Sequence, residues 1–106
     1  MRLRTEVIPP RVFLLGNGIS PPRAIYMPGP EYSKEARNAG YEGIVVLGMV
    51  VETDGRLYGI KVLRSLKYGL DEKAIEAAKK WRFQPALKDG KPVAMYISVE
   101  MNFRLY

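Results

Sequence analysis

The sequence contains no cysteine and no histidine. The first absence excludes disulfides, thiolate nucleophiles and thiolate metal ligands. The second removes the commonest proton shuttle and zinc ligand at neutral pH. No apolar run approaches the ~20 residues needed to span a bilayer as a helix. The opening MRLRTEVIPPRVFLLGNG joins basic residues to a short apolar VFLL, but Pro9 and Pro10 interrupt it and no small-residue cleavage site follows. A signal peptide is therefore rejected. If the native protein is exported or anchored, the segment responsible lies outside these 106 residues.

What is present describes one small globular unit. A chain of 106 residues makes at most one domain, and 47% hydrophobic residues argue for a packed core rather than disorder. The formal net charge of +6 favours an acidic partner such as nucleic acid, anionic lipid or an acidic peptide. Absence of cysteine does not by itself assign a compartment.

Residues 1–30 hold Pro9, Pro10, Pro21, Pro22, Pro28 and Pro30, six of the eight prolines, and read as an extended, irregular N-terminal segment. Regular structure is expected from Ser33, a side chain suited to capping the helix KEARNA, with Gly40 as its left-handed stop. Asp54-Gly55 between two β-rich runs predicts a two-residue hairpin turn with both positions at positive φ, joining strands over 43–53 and 56–64. The first strand is apolar on both faces. Val45, Leu47, Met49 and Val51 lie on one, and Ile44, Val46 and Val50 on the other, as in a central strand. Residues 1–27 or a second subunit must cover the second face.

Leu70, Ala74, Ala77, Ala78 and Trp81 share one face of a helix expected over 70–81, and Pro85 ends it. A turn at Asp89-Gly90 then leads into VAMYISVEMNFRLY. There Val93, Met95, Ile97, Val99, Met101, Phe103 and Leu105 alternate with Ala94, Tyr96, Ser98, Glu100, Asn102 and Arg104, so one face is buried and one is wet. The fold expected is α+β: a three-stranded antiparallel-type sheet in the order 2-1-3, with two helices on the Val45/Leu47/Ile60/Val99 face. The last strand then forms an edge that carries few of the charges or prolines that blunt one.

Trp81 and Phe83 are read as core plugs that lock the helix onto the sheet, with Arg82 turned to water. Asp54 and Asp89 are turn formers and Asp71 a helix-start residue. Lys61, Arg64, Lys67, Lys79, Lys80, Arg82, Lys88 and Lys91 form a solvated surface. Tyr96 reads equally well as a strand former or as a partner contact. No credible nucleophile and base pair is present, so an enzyme is not expected, nor is any cofactor or metal.

Residues 28–106 resemble the C-terminal domain of the TonB family. The likeness rests on the Tyr-initiated helix EYSKEARNAG, the Asp-Gly hairpin, GLDEKAIEAAKKWRFQPA and DGKPV, in that order. Where that family usually has Tyr-Pro, this chain has Tyr32-Ser33, and either residue starts a helix. The resemblance implies residues 31–106 as the domain proper and a periplasmic energy transducer, anchored in the inner membrane and driven there by an ExbB/ExbD-type motor through a part absent here. It implies that the TonB box of an outer-membrane receptor adds as a strand to the last strand. The carried-over peptide site is Glu31 and Tyr32 flanking the guest, with Met95, Tyr96, Ile97, Ser98, Val99, Glu100, Met101, Asn102 and Phe103 offering backbone. The same edge could pair two copies into a homodimer. The alternative is a basic nucleic-acid- or peptidoglycan-binding module, though the aromatics it would stack with read as buried.

Overall fold

The computed structural model describes residues 2–6 and 18–105. It is an α+β fold with two helices and antiparallel sheets. The strands are β1 (Arg2–Glu6), β2 (Ile19–Ser20), β3 (Arg23–Tyr26), β4 (Gly43–Val51), β5 (Leu57–Arg64), β6 (Arg82–Gln84), β7 (Ala86–Lys88), β8 (Lys91–Val93) and β9 (Met95–Phe103). Helix α1 is Lys34–Asn38 and α2 is Leu70–Ala78. The main sheet has four strands in the order β1-β9-β4-β5. Two small sheets, β2-β7-β8 and β3-β6, flank it.

The period-two pattern decides the packing. Along β4 and β9, Val45, Leu47, Met49, Val51, Met95, Ile97, Val99, Met101 and Phe103 are buried on one face, and α2 meets them with Leu70, Ala74, Ala77 and Ala78. Burying a Val, Leu, Ile, Phe or Met side chain contributes about 1.5–3 kcal/mol, so this shared face is the main source of stability. On the opposite face Gly48 leaves room for the Tyr96 hydroxyl and for Leu63, each within 3 Å of where its Cβ would stand. Cover at the centre of that face thus comes from the sheet's own side chains. The expected cover by residues 1–27 falls largely on residues outside the described ones; of those described, β2 and β3 pair with β7 and β6.

Three local expectations need correction. The turn at Asp54-Gly55 is a three-residue loop. Glu52 N–H donates to the Arg56 carbonyl (2.8 Å), Asp54 Oδ1 accepts from Arg56 N–H (3.0 Å), and of the two turn residues only Gly55 has positive φ, at 86°. This is the arrangement of a type I turn closed by a left-handed glycine. Asp89-Gly90 is the two-residue turn with both φ positive, at 51° and 80°. Helix α2 stops at Ala78 rather than 81, because Lys80 and Trp81 N–H tighten onto the Ala77 and Ala78 carbonyls. Within the described residues of the N-terminal segment the backbone is extended and largely paired, since three short strands find partners far away in sequence.

Ser33 caps α1 as expected, accepting from Ala36 N–H at 3.1 Å, and its hydroxyl also donates to the Tyr68 carbonyl at 2.6 Å. One side chain therefore starts the helix and ties it to the β5–α2 connection. Gly40 follows the helix at φ 64°. Asp71 holds the same connection from the other side, accepting from Leu66 N–H (2.9 Å) and from the Ser65 hydroxyl. It is a structural residue.

Candidate peptide-binding site

Strand β9 is paired along its whole length on one side only. β4 runs beside it from Gly43↔Phe103 to Val51↔Met95. On the other side β1 pairs antiparallel with it, from Arg2↔Glu100 to Glu6↔Tyr96. The expected open edge is therefore occupied over residues 96–100 by the chain's own backbone. Among the described residues, no strand covers that side from Met101 to Phe103.

Backbone pairing alone holds β1 weakly. Fixing the backbone of five residues costs about 5–10 kcal/mol, and some five ladder hydrogen bonds return about 3–8 kcal/mol net. The two are of similar size.

The expected site residues divide by position. Ile97, Val99, Met101, Phe103 and Met95 turn to the core, while Tyr96, Glu100 and Asn102 lie on the opposite, less buried face with Ser98. Tyr32 stands at the far end of β9, its ring edge-on to Phe103 with centroids 5.5 Å apart. Its hydroxyl donates to the Tyr41 carbonyl, and the Arg37 guanidinium lies 5.8 Å from its ring centroid. Burial, reinforced by the Glu42 carboxylate and partly offset by Arg37, raises the Tyr32 phenol above its ordinary value. Glu31 does not join β9. Its exposed carboxylate is 4.0 Å from Lys73 Nζ on α2.

Trp81 and Phe83 are 2% and 4% exposed, as core plugs should be, and so offer no stacking platform. The indole N–H of Trp81 donates to the Pro28 carbonyl at 2.8 Å. This bond pins the approach to α1, and hence Tyr32, against the end of α2. Sequence reasoning missed the Pro28 contact, which leaves no local pattern. It also missed β1, whose Arg2-Leu3-Arg4-Thr5-Glu6 alternation was a readable, if short, strand signal.

Residues 28–105 match the family described as Gram-negative bacterial TonB protein C-terminal. The chain belongs to that family. It is similar to Protein TonB of Vibrio cholerae, 36% identical over 77 residues, which is 72% of this chain and 32% of that protein. It is also similar to Protein tonB2 of Pseudomonas aeruginosa, 35% identical over 82 residues, which is 76% of this chain and 30% of that protein. The chain thus spans about a third of the length of these curated TonB relatives. The solution NMR structure of the Pseudomonas aeruginosa TonB C-terminal domain superposes with a TM-score of 0.65 at 31% identity, covering 87% of this chain and 91% of that one.

Proposed function

We propose that this TonB C-terminal domain is the periplasmic, receptor-gripping end of an energy transducer. The TonB box of an outer-membrane receptor adds as a strand to β9, and force passed through the sheet serves nutrient uptake. The remainder of the protein anchors in the inner membrane and is driven by an ExbB/ExbD-type motor. The domain itself is not an enzyme; its work is to hold a peptide. The single observation that carries this reading is that the outer side of β9 accepts a strand: β1 sits there in regular antiparallel register. Main-chain pairing makes little demand on the guest's sequence, which suits a transducer that serves several receptors.

The strength of such a grip follows from its size. A handful of ladder bonds at ~1 kcal/mol net each, offset in part by the cost of ordering the guest, gives a weak and reversible grip. Titrating the isotope-labelled domain with a synthetic TonB-box peptide tests it. Saturable amide shifts should concentrate in residues 95–103 and at Tyr32. Shifts confined to β5, or none at millimolar peptide, would reject the site.

A further inference from the structure

We propose that β1 is a built-in placeholder on β9, displaced by the incoming receptor strand from the Met101–Phe103 end. The inference rests on the reading of β9 as the receptor-binding edge and adds a regulatory step to it. The two strands compete for one set of amides and carbonyls, because β1 pairs with residues 96–100, the middle of the stretch a guest needs. β1 belongs to the same chain, so its effective concentration at β9 is high and independent of protein concentration. Its backbone pairing alone gives little net hold, because the ladder bonds and the cost of ordering five residues are of similar size.

The geometry also sets the order of events. Among the described residues, the β1 pairing ends at Arg2↔Glu100, leaving the outer side of Met101, Asn102 and Phe103 without a strand, with Tyr32 packed on Phe103 beside it. A guest pairs first with these three residues and then replaces β1 one residue at a time towards Tyr96. Each step exchanges one hydrogen bond for another, so no step exposes the whole edge. When no guest is present, β1 covers five of the nine residues of a strand that would otherwise template pairing with other chains along its length.

Because successive amides of a strand point to opposite sides, a Leu3→Pro/Arg4→Pro double variant removes a β1 donor facing β9 whichever of the two it is. In this variant the outward amides of residues 96–100 should exchange faster with solvent. The affinity for a TonB-box peptide should rise about tenfold if β1 is closed nine-tenths of the time. A synthetic peptide of residues 1–8, MRLRTEVI, should bind the variant at 96–100 and compete with the TonB-box peptide. A second measurement needs no substitution: adding TonB-box peptide to the unaltered chain should speed amide exchange within residues 2–6. Affinities within twofold of each other, with β9 shifts in both proteins, overturn the placeholder and leave receptor binding standing. No β9 shift in either protein overturns both.

Discussion

The two Asp-Gly turns allow a packing claim to be tested against an internal control. Gly55 and Gly90 have nearly the same positive φ, 86° and 80°. Their surroundings differ. A Cβ on Gly55 would stand 2.1 Å from the Phe83 carbonyl oxygen, whereas a Cβ on Gly90 would meet nothing within 4 Å. Gly90→Ala should therefore cost only the left-handed penalty, about 1–2 kcal/mol. Gly55→Ala pays the same penalty and must also push the β4–β5 loop off the backbone of β6, which cannot yield as a side-chain tip can. A total of about 3–4 kcal/mol is expected. For a domain of this size each kcal/mol lowers Tm by roughly 4–8 °C. Urea unfolding of both variants, followed by the fluorescence of Trp81, gives the two costs directly. Equal costs would refute the claim that the hairpin tip rests on β6.

Other substitutions probe the remaining ties. Trp81→Phe keeps most of the buried ring but loses the N–H donor to the Pro28 carbonyl, and should cost about 2 kcal/mol in urea unfolding, with faster amide exchange in β3. Ser33→Ala removes both the cap of α1 and the bond to the Tyr68 carbonyl and should cost about 1–2 kcal/mol by thermal unfolding. The raised Tyr32 phenol predicts a definite pH profile. Folding favours its neutral form, so its contribution to stability is fully present below the unfolded value near 10.0 and is lost as pH rises through the higher folded value. Alkaline unfolding of Tyr32→Phe, compared with the unaltered chain, should lack that component.

Much of the fold was legible because its signals are local and two-sided. The 93–105 segment alternates without a break, and the structure buries Met95, Ile97, Val99, Met101 and Phe103 together. The Ser33 cap and the small-residue face of α2 were equally plain, since each follows from the chemistry of a single turn. The turn types were not legible. Asp54-Gly55 and Asp89-Gly90 are the same dipeptide, yet the first closes a three-residue loop whose tip lies against Phe83, far away in sequence. Prolines concealed β2 and β3, which flank Pro21-Pro22 and exist through pairing with β7 and β6. As for the candidate site, the alternation of 93–105 foretold strand β9, and the family resemblance pointed to Tyr32, which packs on Phe103 at the end of that strand. Glu31 was read as flanking the guest, and nothing local indicates that its carboxylate stands 4.0 Å from Lys73 on α2. The occupancy of the edge by β1 depends on a pairing between opposite ends of the chain, which no window of sequence reports.

Because the chain has no cysteine, cross-linking reads the β9 edge most directly. Single substitutions Tyr96→Cys, Ser98→Cys, Glu100→Cys and Asn102→Cys, each exposed to a TonB-box peptide carrying one cysteine, should form disulfides whose preferred peptide position moves by two residues for every two residues along β9. Cross-links that instead concentrate on Lys61→Cys and Leu63→Cys in β5, or that show no register at all, would contradict strand addition at β9.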